Sequence, residues 1–461
     1  MLYLLVLLGL ASGSMFVADT SDDEIYGTDE ADDIDANAGD DTSYGADGAD
    51  QILGNDGNDY IFGGADDDTL SGNNGDDFIA GDDGDDSILA GAGDDMGTGG
   101  EGNDTISAFA GANIFSGGLG DDSLSDGAGD SVLHGDDWDG LVGGADTLDG
   151  GRGDDTLFGG AGADELDGGT GNDLVDGGTG DDLIEGGTGD DLIEGGTGDD
   201  EVLGDSGDDT MIGGTGFDEL HGGAGNDLIF NSDHGRLFGD EGADLLVGVG
   251  PGELLASGGD DVNDDDQIID EEQSQSGMFF DGGDGFNQIF ASDAGNSTIL
   301  GGDDFDRIYV AGGTGNFVDA GTGSDSNDDI IDYGETTIYS GDGLDFYSLA
   351  ADQTNLVSTL QDIDLEEDAI IILIDQSEID LQPDRDDIIY GIDATGEYNT
   401  LSYTHTNGFV EVVAHIPTSI GTAEDIQNNL VIDFWPASIE NPDSDLASAI
   451  ASFTRPDVTV T

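Results

Sequence analysis

The chain has 461 residues, of which 108 are Asp or Glu and only 5 are basic, for a formal net charge of −103. That charge argues against any partner that needs a basic face, nucleic acid and anionic membrane surfaces included. Cys is absent, which removes disulfides and thiolate metal sites, and 83 glycines leave too few apolar side chains for a conventional core. All five basic residues are Arg. A chain this acidic repels itself into an expanded coil unless cations are bound, so composition alone makes cations structural.

Met1 to Ala18 carries no charge. It has the apolar character of a signal or signal-anchor core, yet no Lys or Arg precedes it. Without Cys it cannot be a lipoprotein anchor. Residues 1–17 are therefore expected to be a signal, an anchor or an apolar cap.

From Ala18 onward the chain repeats with a period of nine. GGTGDDLIE at 177–185 recurs at 186–194 and continues as GGTGDDEVL at 195–203. One unbroken run of nine turns extends from Gly150 to Phe230, and another of thirteen from Ala18 to His134. The fifteen residues 135–149 interrupt the phase, being three short of two turns. Position 6 is Asp in twenty of these twenty-two turns, the exceptions being Asn113 and Ser131. Position 8 is usually a large aliphatic, as in Ile61, Leu70, Leu157, Val175 and Ile184, but Ser43 and Gly97 depart from that rule. Positions 1, 2 and 4 are mostly Gly. Solvation alone does not require Asp in phase with Ile or Leu, so a disordered acidic tail does not account for the pattern.

This G-G-x-G-x-D-x-U-x pattern resembles the hemolysin-type (RTX) calcium-binding repeat, strongly over residues 18–256 and in fragments to about 349, as in GGDGFNQIF (282–290) and GGDDFDRIY (301–309). The resemblance implies an all-β, right-handed parallel β-roll, a calcium-stapled solenoid in which two nonapeptides make one coil. A very short strand around position 8 and a six-residue Gly/Asp turn are expected in each repeat. Residues eighteen apart then lie one strand spacing apart, ~4.8 Å. Bare carboxylates at that spacing repel, and a hard divalent cation completed by turn carbonyls reverses this. Calcium fits best because it takes six to eight oxygens in flexible geometry. Zinc is disfavoured by the absence of Cys and the scatter of the five His.

The candidate calcium ligands are the position-6 aspartates. In the first run these are Asp23, Asp32, Asp41, Asp50, Asp59, Asp68, Asp77, Asp86, Asp95, Asp104 and Asp122. In the second they are Asp155, Asp164, Asp173, Asp182, Asp191, Asp200, Asp209, Asp218 and Asp227, with Asp244 and Asp306 in the later copies. Position 5 varies (Asp181 and Asp190, but Asn172, Ala163 and Phe217), so it is expected to add charge only. Position 8 should point inward, Ile184 lying between Leu166 and Val202, with its neighbours Leu183 and Glu185 outward.

The roll is divided as 18–134, the interruption 135–149, and 150–256 with its regular part ending at 230. Residues 257–349 hold degenerate repeats with insertions. One insertion places Asp261, Asn263, Asp265 and Glu272 at EF-hand spacing, but Asp266 stands where that loop needs Gly, which favours a decorated roll turn. Near 350 Gly thins out. TLQDIDLEEDAIIILID (359–375) resembles a segment that often follows RTX rolls, with Ile363 in place of the aromatic. Leu401 to Ile416 around Asn407-Gly408 reads as a β-hairpin, and Leu430 to Phe434 as a strand. Residues 350–461 are expected to be a C-terminal β-cap, which by resemblance would hold a type I export signal.

No catalytic motif can be picked out. There is no H-E-x-x-H and no G-x-S-x-G. Gly204-Asp205-Ser206-Gly207 and Arg152-Gly153-Asp154, which echo a serine-protease loop and an adhesion tripeptide, both fall in phase as repeat turns. The expected protein is a non-enzymatic, monomeric, secreted or surface calcium-binding structural component. The alternatives are an accessory polysaccharide-binding module, with a polysaccharide or cell-surface matrix as partner, or a carbohydrate-active or other enzyme whose site lies in 257–461.

Overall fold

A computed structural model describes residues 3–5, 14–137, 143–233, 235–248 and, beyond these, segments between 254 and 436. The EF-hand-like positions Asp261, Asn263, Asp265 and Glu272, the Asn407-Gly408 turn and the last residues lie outside the described residues. Every regular element described is a strand. The chain forms two compact units, Met1–Leu237 and Phe238–Thr461.

In the first unit each strand pairs in parallel with the second strand after it. Leu166 stands beside Ile184 and Ile184 beside Val202 on one sheet, while Val175 stands beside Ile193 and Ile193 beside Met211 on the other. The partner is always eighteen residues away in the regular runs, so two nonapeptides complete one coil. The position-8 side chains stack between the two sheets, and Ile184, Ile193, Val202 and Met211 have no exposed surface. Leu192 is outward and 46% exposed, as alternation along a strand requires. The departure at Gly97 is compensated locally. A Cβ added to Gly97 would come within 3.0 Å of the Phe115 ring and 3.5 Å of Ile106 Cγ2. Phe115, one coil on, thus fills the space that Gly97 leaves.

The strands are longer than the period alone suggests. Leu183–Thr188 and Leu192–Thr197 have six residues each, so positions 1 to 3 belong to the strand and only positions 4 to 6 turn. The in-register coil explains this: Gly187 and Thr188 find backbone partners in Asp205 and Ser206 as surely as Ile184 finds Val202. Gly189 at position 4 has φ 137°, and a Cβ there would overlap the Gly171 carbonyl of the coil before. Where position 2 is not Gly it is often Asn or Asp, as at Asn55, Asn73, Asp82 and Asp205, all with positive φ.

The two sheets carry different outer residues. Position 7 on one sheet runs Tyr60, Phe78, Met96, Ile114, Val132 in adjacent strands and later includes Leu174 and Leu192. On the other it runs Gln51, Thr69, Ser87, Thr105, Ser123 and Thr147. Tyr26, Tyr44 and Phe62 stack on the first sheet at 5.0 and 5.1 Å.

The interruption at 135–149 lengthens one coil without ending the stack. Leu124 pairs with Leu148, and Leu133 with Leu157, each twenty-four residues on.

The second unit keeps two parallel ladders but varies the coil. Ile268, Ile289, Ile308, Ile330 and Tyr347 stack in one, and Phe280, Ile299 and Val318 in the other. The composition shift near 350 does not end the stacking. Tyr347 pairs with Ile370, and Ile370 with Ile432 in strand Val431–Pro436. Antiparallel pairing begins at Ile388–Ile392, which joins Tyr398–Thr404, which joins Val410–Pro417.

Candidate metal centre

Most regular strands start one residue after the position-6 Asp, and those at Asp23, Asp32 and Asp218 start on it, so this carboxylate sits where the turn enters the sheet. The backbone settles half of its bonding. Asp164 N–H donates to Asp182 Oδ1 at 2.8 Å, Asp182 N–H to Asp200 at 3.0 Å, and Asp173 N–H to Asp191 at 2.7 Å. The same bond, one coil back to one coil forward, is made to Asp41, Asp50, Asp59, Asp68, Asp77, Asp86, Asp95, Asp104 and Asp122. It is made again to Asp155, Asp164, Asp173, Asp209, Asp218 and Asp227.

The second oxygen is the informative one. From Asp41 through Asp122 and from Asp155 through Asp209, the Oδ2 of every position-6 Asp is buried and accepts no hydrogen bond. A buried anionic oxygen without a donor is costly, and a long row of them needs a common partner. Their surroundings are oxygen-rich. A Cβ added to Gly177 would fall 2.7 Å from Asp182 Oδ2 and 2.6 Å from the Gly195 carbonyl oxygen, so Gly leaves a cradle between them. Among the described residues no three acidic or His side chains cluster as a metal site. A cation here would therefore draw on carboxylate oxygens of the ladder together with backbone carbonyls. Hard oxygen donors of that kind suit calcium.

One position shows what the cradle holds when Asp is replaced. Asn287 occupies position 6 of GGDGFNQIF. Its Oδ1 accepts its neighbour's N–H as the aspartates do, at 3.2 Å from Asp266 N. Its Nδ2 donates to the carbonyls of Gly283, Gly285 and Gly301 at 3.3–3.4 Å. A hydrogen-bond donor sits among the carbonyls where a cation would otherwise sit.

Asn113 and Ser131 solve the same problem differently. Each still accepts the backbone N–H of the coil before, from Asp95 and Asn113 respectively, both at 2.9 Å. Their donors then turn to a third, buried carboxylate: Asn113 Nδ2 to Asp126 Oδ1 at 2.7 Å and Ser131 Oγ to Asp126 Oδ2 at 2.9 Å. The edge is closed there by hydrogen bonds alone.

The first aspartates differ again. Asp23 Oδ2 accepts the N–H of Asp19, and Asp32 Oδ2 accepts both the N–H and the hydroxyl of Thr28. These two spend on their own turn the oxygen that later copies leave open.

Burial pushes the ladder carboxyls up against the opposing pull of the backbone N–H, with neighbouring carboxylates adding to the rise. Asp164 and Asp173 are raised to about 6, Asp68, Asp155, Asp182 and Asp209 to about 7, and Asp146 to about 8.

Position 5 is not a bystander. Asp181 Oδ1 accepts Asp199 N–H at 2.9 Å, Asp190 accepts Asp208 at 3.0 Å, and Asn172 accepts Asp190 at 3.0 Å. This ladder is exposed and runs opposite to the buried one. Where it is made it takes an acceptor rather than a charge, so Asn serves as well as Asp, and Ala163 and Phe217 leave it out.

Residues that the period missed also join the buried row. Asp146 accepts Asp122 N–H across the lengthened coil and donates its own to Asp164, both at 2.8 Å. Its signal was GGADTLDG at 143–150, in phase with the run that follows. In the second unit Asp244 N–H donates to Asp266, Asn287 N–H to Asp306, Asp306 to Asp328, Asp328 to Asp345, and Asp345 to Asp368, at 2.9–3.2 Å. Thus Asp244 and Asp306, which the sequence singles out, stand in one row with Asp266, Asp328, Asp345 and Asp368, which it did not. Their shared signal is an Asp or Asn two residues before a buried Ile or Tyr, as in Asp266-Gln-Ile and Asp328-Asp-Ile.

Arg152-Gly153-Asp154 and Ser206 fall where repeat turns and strands place them. Asp154 Oδ1 accepts Asn172 N–H at 2.9 Å, and Ser206 closes strand Glu201–Ser206.

A family profile described as the RTX calcium-binding nonapeptide repeat matches the chain in nine segments, over residues 17–137 and 142–233. No curated protein sequence matches the chain. Among solved structures, a Ca2+-dependent β-helical antifreeze protein from an Antarctic bacterium is similar at 20% identity and a TM-score of 0.23, over 70% of this chain and 83% of that one.

Proposed function

We propose that calcium binding by the position-6 aspartates of the RTX calcium-binding repeats matched within residues 17–233 folds the chain into a rigid, secreted structural or surface component without catalytic activity. The observation that carries the reading is the row of buried position-6 Asp Oδ2 atoms without a donor, from Asp41 through Asp122 and from Asp155 through Asp209. When bound, calcium supplies the positive charge that this row lacks. The protein's own residues do the rest. Oδ1 of each Asp anchors the strand entry, the position-1 glycines keep space for the ion, and the position-8 side chains stack beneath. Binding free energy becomes folding free energy when the site does not exist beforehand. Low calcium inside a cell would keep the chain open for export, and higher calcium outside would fold it. Type I export and a signal or anchor at the N-terminus belong to the same reading. Among the described residues no helix is long and apolar enough to cross a membrane.

The test compares two double variants of the full chain in a calcium-stoichiometry measurement. Asp182→Asn with Asp200→Asn keeps both backbone acceptors and removes the anionic oxygens, and should lower bound calcium. Asp181→Asn with Asp190→Asn keeps the exposed ladder intact and should change it little. Equal loss from the two pairs would refute the assignment.

A further inference from the structure

The second unit lies outside the matched repeats, and its coils differ in length, yet one of its edges reproduces the buried row. Ladder residues on this edge are fully or almost fully buried, with Asp266, Asp306, Asp328 and Asp345 at 0% exposure. Backbone bonding identifies them as position-6 equivalents. Gln267 N–H donates to the Asp244 carbonyl and Asp329 N–H to the Asp306 carbonyl, as Leu183 does to Asp164. Asp328 is the clearest case: Oδ1 accepts Asp306 N–H at 2.9 Å and Oδ2 accepts no hydrogen bond. The carbonyl cradle is present too. A Cβ added to Gly301 would lie 2.6 Å from both Asp306 Oδ2 and the Ala320 carbonyl oxygen. Between these aspartates, the Asn287 amide shows the cradle filled by a donor.

The opposite edge of the same unit is neutral. By the same backbone criterion its equivalents are Met278 and Ser297, whose carbonyls accept from Thr298 and Phe317. Asn316, Thr336 and Ser358 continue it in register. Asn316 fills its own turn, with Nδ2 donating to the Gly312 carbonyl at 2.9 Å. Further along, the buried carboxylate of Asp332 accepts from the Gly334 N–H, the Thr336 hydroxyl and the Ser358 hydroxyl. This is the device seen at Asp126, a carboxylate satisfied by neutral ladder residues without an ion.

We propose that the second unit binds calcium along one edge only, at Asp244, Asp266, Asp306, Asp328 and Asp345, whereas the ladder positions of the other edge carry no carboxylate. The row ends at Asp368, whose two oxygens accept the N–H groups of Asp345 and Asp364. That closure mirrors the first aspartates, where Oδ2 also accepts from the residue four positions back. Asn287 marks a gap in the metal row. The proposal rests on the calcium reading of the first unit and extends it to coils that do not keep the nonapeptide period.

The experiment counts calcium bound per full-length chain by equilibrium dialysis with calcium alone as the probe. Asp306→Asn with Asp328→Asn should lower the count. Asn287→Asp should raise it, by about one ion if the new carboxylate completes an oxygen cage of the usual kind. Ser297→Ala with Asn316→Ala should leave it unchanged. Asp182→Asn with Asp200→Asn is the reference for the first unit. An unchanged count in the Asp306/Asp328 pair, with a fall in the reference pair, overturns the one-edge proposal alone. No fall in either pair overturns the calcium reading beneath it. If the Asp306/Asp328 pair does not fold, Asn287→Asp decides: a gain supports the metal row and no gain contradicts it.

Discussion

A position-6 side chain has two tasks, and the substitutions found in the chain separate them. Asn113, Ser131 and Asn287 all keep an acceptor for the backbone N–H of the previous coil. None keeps the anionic second oxygen, and in each place a side-chain donor takes over. All three thus keep the backbone contact and give up the charge. Replacing Asp182 by Ala should therefore damage the fold more than replacing it by Asn, even in saturating calcium, because only Ala leaves the Asp164 N–H buried without a partner; that costs ~1–3 kcal/mol. Chemical denaturation of the two variants in calcium checks this, and equal midpoints would show that the N–H contact carries no weight. Position 8 offers a second test. Ile184 has no exposed surface while its neighbour Leu183 is half-buried on the outer face. Ile184→Asp should cost several kcal/mol more than Leu183→Asp, on the order of a lost core side chain plus an unpaired buried charge. Equal losses in calcium-dependent stability would mean that the strand faces the other way. This facing was legible from Glu185 and Glu194 at position 9, which a closed interior would not hold. The pairing of Gly97 with Phe115 was not legible, since it depends on which residue lies one coil away.

At the scale of the strand and turn, the sequence pattern located the turns but not the strand ends. Positions 1 to 3 look like turn residues because they are Gly-Gly-Thr, yet they pair in register with their copies one coil on. Composition describes a residue's freedom, whereas pairing depends on what lies beside it. The same limit hid Asp146, Asp266, Asp328 and Asp345: counting by nine fails when a coil gains or loses residues, although the hydrogen bonds across it persist. The ladders also set a pH dependence. Burial raises Asp164 to about 6, Asp182 to about 7 and Asp146 to about 8 in the folded chain without metal. A carboxyl with a folded pKa above its unfolded value, ~3.9, takes up a proton on folding. The stability that it contributes is complete below that unfolded value and is lost as pH rises through 6 to 8. In excess chelator, β-sheet signal should therefore grow as pH falls from 8 to 5. In calcium the trend reverses, because protons compete for the same oxygens and the calcium needed for half-folding should rise on acidification. Circular dichroism at stepped pH, with and without chelator, measures both. A chelated chain whose β content is insensitive to pH over this range would contradict the buried-carboxylate account.

Over the whole molecule, 108 acidic residues face 5 Arg, and the ion pairs described are few. Arg236 meets Glu219 at 3.0 Å and Arg307 meets Asp329 at 3.7 Å, both at the surface or partly exposed, where such pairs contribute little. Cohesion must therefore come from the stacked interior, the backbone ladders and an external source of positive charge. Composition alone carried that much, because a net charge of −103 does not compact itself. The measurement that tests this most directly is the far-ultraviolet circular dichroism of the full-length chain at neutral pH, first in excess chelator and then through a calcium titration to millimolar. The account predicts a largely unfolded chain in chelator and a cooperative rise to β-sheet as calcium is added. The same β content in chelator as in millimolar calcium would contradict it.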